Sequence, residues 1–189
     1  MLGLWIVLGV VALAALWAVL AFNRLVTYRN RAEEGWSQID VQLRRRYDLI
    51  PNLVETVEGY AAHEREVFEE VARARSAAMG ATGAAEQASA ENAITSGLRK
   101  LLAVAENYPQ LKASDNFREL QSELGDLENK IAAARRFLNN AVAEYNARIE
   151  QFPGVLVAGM LGFAHAEMYA LDAGERVAAS EPPKVSFGG

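Results

Sequence analysis

The chain is 189 residues long, with 51% apolar residues, no cysteine and a formal charge of −5. That length accommodates one domain of ordinary size with an appendage, and the acidic balance offers nucleic acid no basic footprint. Without cysteine there is no disulfide framework, no thiol nucleophile and no Cys-based zinc site.

A mean hydropathy near zero averages two unlike materials. All 19 basic and 24 acidic residues lie beyond position 23, and residues 1–22, MLGLWIVLGVVALAALWAVLAF, are uncharged. At about 1.5 Å per residue such a helix reaches roughly 33 Å, which matches a hydrocarbon core of about 30 Å. Leu4, Val11 and Phe22 supply apolar bulk, and Trp5 and Trp17 stand toward the two ends, where indoles favour the headgroup region. A secretory signal peptide is the competing reading, with Val19-Leu20-Ala21 as a weak cleavage site. It calls for a basic n-region and a shorter apolar core than this one. Residues 1–22 therefore read as a transmembrane anchor. Arg24, Arg29 and Arg31 follow the span and no basic side chain precedes it. The positive-inside rule then places the N-terminus outside and the body in the cytoplasm.

The body, residues 23–179, reads as an all-α, elongated antiparallel bundle of long helices. From Leu25 an apolar stripe runs through Tyr28, Ala32, Trp36, Ile39, Leu43, Tyr47, Ile50, Val54, Val57 and Ala61. Its mean step is about 3.6 residues, the α-helical period. Pro51 does not shift the phase, so the pattern predicts a kinked helix continuing through Phe68 and Val71 to about Met79. Gly80-Ala-Thr-Gly83 reads as a hairpin turn, followed by a helix over about 85–107 with Ile94, Leu98, Leu101, Leu102 and Ala105 buried. Tyr108-Pro109 closes it.

A third long helix begins near Ser114, where Asn116 and Glu119 have capping-box spacing. Its stripe runs from Phe117 through Leu120, Leu124, Leu127, Ile131, Ala134, Leu138, Ala141, Tyr145 and Ile149 to Phe152. The mean step of about 3.5 is closer to a coiled-coil seam. After Pro153-Gly154, residues 155–163 are mostly apolar and too few to span a bilayer. They fit either a short helix covering the bundle core or an exposed patch for a partner or lipid, with Leu161 and Phe163 as contact residues. Residues 180–189 read as an extended or disordered tail.

Catalytic and metal-binding patterns are not found. His63-Glu64 begins like a zincin helix, but Val67 stands where the second histidine belongs. Tyr60 and Gly162 occupy the positions where a Glu-x-x-His pair needs its glutamate for His63 and His165. Glu55, Glu58, Glu66, Glu69 and Glu70 read as a solvated face partly paired with Arg65, Arg73 and Arg75. No cofactor, metal or catalytic set is expected. Arg44, Arg45 and Arg46 form the one basic cluster, roughly 33 Å along a straight helix from the span. They fit a solvated or inter-subunit salt-bridge role, and with Trp36 they make a candidate interaction surface.

The run from Trp36 to Glu64, WSQIDVQLRRRYDLIPNLVETVEGYAAHE, resembles the signature of the bacterial LemA family. So do Leu101 to Ala113, Glu128 to Arg136, Ala141 to Asn146, the Phe152-Pro153 break and the closing Pro183 to Phe187. Gly154, where relatives often carry a polar residue, and Arg44 to Arg46, where Lys is common, are small departures. The resemblance, which takes in the magnetosome branch of the family, implies a single membrane span followed by long helices and no catalytic residues. That branch is associated with membrane invaginations, which implies scaffolding or membrane shaping. The expected partners are the lipid bilayer and further copies of the chain. An adaptor serving a membrane protease or an envelope-stress component is the alternative.

Overall fold

The computed structural model describes residues 1–169, so the expected tail at 180–189 lies outside the described residues. The described chain is all-α: α1 (Leu2–Glu58), α2 (Arg65–Gly80), α3 (Ala84–Glu106), the short α4 (Pro109–Lys112), α5 (Asp115–Glu150) and α6 (Gly154–Leu161). No strand occurs among the described residues.

Two compact units divide the chain. The first comprises Met1–Leu43 and Glu128–Met168. Here α1 and α5 run antiparallel, with Arg31 facing Glu144 and Gly35 facing Leu138. The backbones come so close that a Cβ on Gly35 would stand 3.0 Å from the Leu138 Cα. Glycine lets the two helices cross without pressing on the Leu138 backbone. Residues 2–17 are exposed on every face, and α1 is the one described helix long and apolar enough to cross a membrane.

The second unit comprises Arg44–Leu127 together with Tyr169. Ile50, Leu53 and Val57 of α1, Phe68 and Val71 of α2, Ile94, Leu98 and Leu101 of α3, Leu111 of α4 and Phe117 of α5 are among its buried apolar residues. Each contributes on the order of 1.5–3 kcal/mol by leaving water.

Pro51 sits inside α1, as its in-phase position predicts. A proline has no amide hydrogen, so the carbonyl four residues earlier, that of Tyr47, loses its helical donor. Arg75 of α2 fills the gap: its Nε donates to the Tyr47 carbonyl at 2.7 Å. Arg75 is thus a structural donor and not part of the paired carboxylate face expected for it. Of that face, Glu69 pairs with Arg73 at 3.3 Å, while Glu70 takes Lys100 of α3 at 2.7 Å.

Three boundaries differ from the sequence reading. The helix expected to reach Met79 breaks after Glu58 and restarts at Arg65. Gly59, a poor helix former, opens a turn in which the Tyr60 and Ala61 amides both donate to the Val57 carbonyl. Buried Ala61 thereby keeps its place while the chain changes direction. The cap of α5 is Ser114, whose Oγ accepts from the Phe117 amide at 3.5 Å; Asn116 instead donates to the Thr56 hydroxyl at 3.3 Å. Phe152, taken as the last stripe residue of α5, is 79% exposed because the helix stops at Glu150.

Candidate functional site

In the first unit the end of the apolar stretch, the C-terminal turns of α5 and the whole of α6 converge. Leu25 of α1, Tyr145 and Ile149 of α5, and Val157 and Ala158 of α6 form one buried cluster, with Ala21, Tyr28, Phe163 and Ala166 packed on it. Burial holds the Tyr145 hydroxyl above its usual range; nearby Arg29 acts in the opposite sense. That hydroxyl donates to the Ala164 carbonyl at 2.9 Å. Asn146 clasps the segment after α6 at two points: its amide donates to the Ala166 carbonyl and its oxygen accepts from the Ala166 amide, both at 2.9 Å. Gly154 starts α6 against the end of α5, where any Cβ would collide with the Arg148 carbonyl.

Only Val157 and Ala158 of α6 are buried. Val155, Leu156, Met160 and Leu161 stay exposed, as do Phe152 before the helix and Met168 after it. Residues 155–163 thus cover the core with Val157 and Ala158 and leave the other apolar side chains of α6 exposed.

Aromatic and guanidinium groups order the surroundings. Phe22 meets Phe163 edge-on with ring centroids 5.8 Å apart, and the Arg29 guanidinium lies 5.6 Å from the Phe163 centroid. The Arg148 guanidinium lies 5.4 Å from the Tyr28 centroid. Arg29 also reaches Glu33 at 3.6 Å, and Arg31 pairs with Glu144 at 3.3 Å. Arg24 has no carboxylate within ion-pairing distance among the described residues. Beside this cluster lies a pocket of about 510 Å³. Trp17, Leu20, Ala21, Arg24, Thr27 and Arg31 of α1 form one wall, and Arg148, Gln151, Phe152 and Pro153 form the other.

Of the residues singled out in the sequence, the structure gathers Trp17, Phe22, Arg24, Arg29, Arg31 and Phe163 here. Leu4, Trp5 and Val11 are exposed along the apolar part of α1, and Trp36 is half-buried farther along it. Arg44 and Arg45 are exposed in the second unit. Arg46 is not a surface residue: it is 1% exposed, and its Nη1 donates to Glu91 Oε2 at 2.9 Å. Its Nη2 donates to Thr95 at 3.0 Å. The Tyr47 hydroxyl donates to the other Glu91 oxygen and accepts from Gln87 at 2.7 Å. Burial first, and then the Glu91 carboxylate, drive the Tyr47 phenol far above its usual range. A solvated or inter-subunit role for Arg46 is thereby replaced by an intrachain one.

The sequence carried a signal for this pair. Arg46 falls in phase with Ile39, Leu43, Ile50 and Leu53, and Glu91 falls in phase with Ala84, Ala88, Ile94 and Leu98. A charge on an apolar stripe needs a partner on the facing helix. Among the described residues no cluster of three or more His, Asp or Glu is placed to hold a metal ion.

A membrane-crossing length of bare apolar helix, joined to a body made of helices, defines a helical membrane protein. The chain belongs to the LemA family, which it matches over residues 35–187. It is similar to magnetosome protein MamQ of Magnetospirillum gryphiswaldense, 26% identical over 177 residues that take in 80% of this chain and 65% of the relative. It is similar also to magnetosome proteins MamQ 1 and MamQ 2 of Paramagnetospirillum magneticum, each 28% identical over 189 residues, covering 86% of this chain and 69% of the relative. The chain thus spans about two thirds of the length of these relatives.

Proposed function

We propose that the chain is a non-enzymatic scaffold, anchored in the bacterial inner membrane, that self-associates and organises or shapes the bilayer, with its body in the cytoplasm. One observation carries this reading: apolar residues 2–17, exposed on every side, continue as an unbroken helix into a packed helical unit. A bare apolar helix of that length is stable only in lipid or against copies of itself. Arg24, Arg29 and Arg31 support the orientation, and the family resemblance to the magnetosome branch supports the organising role. The apolar seam of α5 from Phe117 to Ile149 is already buried within the chain. Self-association therefore relies on the span and on exposed surfaces such as the outer face of α6.

The test is particle size in detergent, comparing the full chain with a version beginning at Asn23. A large assembly that requires residues 1–22 is the expected result. A full-length protein that is strictly monomeric at cellular concentration sinks the scaffold and favours the adaptor.

A further inference from the structure

We propose that the pocket between α1 and the end of α5 is a binding site for an anionic phospholipid of the leaflet that borders the body. The proposal rests on the reading of residues 1–22 as a membrane span. If that stretch fills the hydrocarbon, Trp17 lies about 7 Å below the boundary and Arg24 about 3 Å above it, at about 1.5 Å per residue. The pocket wall thus passes from the edge of the hydrocarbon at Trp17, Leu20 and Ala21 to the headgroup layer at Arg24 and Thr27. A lipid changes from apolar to charged over the same interval, and the wall follows it.

Charge decides which lipid. Among the described residues the lining contains three guanidiniums, from Arg24, Arg31 and Arg148, and no carboxylate. Arg31 is shared with Glu144, but Arg24 and Arg148 have no carboxylate partner among the described residues. A phosphodiester offers both guanidiniums charge-assisted acceptors. A choline or ethanolamine headgroup would bring a second cation with no anion to receive it. The Tyr28 ring, the natural face for such a cation, already has Arg148 beside it. The apolar rim of Phe152, 79% exposed, and the open face of α6 extend the pocket's apolar wall at the same end of the unit.

Full-length protein in mild detergent is titrated with phosphatidylglycerol or phosphatidylcholine, and bound lipid is counted by native mass spectrometry. Wild type should retain phosphatidylglycerol about tenfold better than phosphatidylcholine. Arg24→Gln combined with Arg148→Gln should erase that preference. Both side chains are exposed, so the helical circular dichroism should stay unchanged. Arg73→Gln with Arg99→Gln, which removes the same charge from the second unit, should keep the preference. Equal retention of the two lipids overturns the proposal, as does a double variant at the pocket that still prefers phosphatidylglycerol, or a control pair that loses the preference. Extraction of wild-type membranes with alkaline carbonate separates the two levels of failure. Release of the protein overturns the span and the pocket with it, whereas retention with arginine-independent lipid binding overturns the pocket alone.

Discussion

At the level of single residues, the second unit is organised by polar groups that answer one another across helices. Pro51 removes a donor from α1 and Arg75 of α2 replaces it at the Tyr47 carbonyl. Leaving a buried carbonyl without a donor costs about 1–3 kcal/mol. Arg75→Leu should therefore destabilise the protein by about that amount. The same change made on a Pro51→Ala background should cost clearly less, because alanine restores the amide donor within α1. Urea unfolding of the four proteins in detergent measures the coupling, and additive effects of the two substitutions would refute this account. The neighbouring Arg46–Glu91 pair follows the same logic at higher stakes, since each charge is buried and tolerable only while the other is present. The proline and the arginine are both plain in the sequence. What the sequence hides is their relation, because it depends on how α2 lies along α1.

At the level of elements, the regular helices were legible and their joints were not. The stripes of α1, α3 and α5 announce themselves because each step of three or four residues puts an apolar side chain on one face. Every stripe position from Phe117 to Ile149 is buried as its spacing predicts. The breaks follow weaker, local energies. The turn at Gly59 leaves the phase of the stripe almost intact, so Ala61 and Phe68 look continuous in the sequence although a change of direction separates them. Short α4 is invisible for the same reason, since four residues give no period to read. The candidate site was legible only in its parts. The apolar run, the three arginines after it and the patch at 155–163 all stood out, but nothing local shows that the chain returns past α5 to join them.

That return depends on Asn146, which holds the segment after α6 by two hydrogen bonds. Asn146→Ala should loosen residues 154–168 while leaving α1 to α5 folded. The expected readout is faster amide exchange across 154–168 with unchanged exchange in α3. The net cost is about 1–3 kcal/mol, since the Ala166 amide and carbonyl lose their partners. Uniformly faster exchange throughout the chain would contradict a local role.

For the whole molecule the first question is which side of the bilayer holds the body, and the absence of cysteine makes it directly measurable. A single cysteine in place of exposed Glu123 is the only thiol in the chain. A membrane-impermeant maleimide added to intact spheroplasts should leave it unlabelled, and permeabilisation should expose it. Labelling of intact spheroplasts would reverse the orientation drawn from Arg24, Arg29 and Arg31.

The unbroken passage of α1 out of its apolar stretch has a mechanical consequence. An α-helix has no swivel, and within the first unit residues 23–43 extend the same rod that carries residues 2–22. Whatever angle the bilayer imposes on the lower part is imposed on the upper part as well. A span longer than the local hydrocarbon is thick relieves the mismatch by tilting. With residues 2–22 in a bilayer, as proposed, a change in its thickness that tilts them would carry residues 23–43 through the same angle.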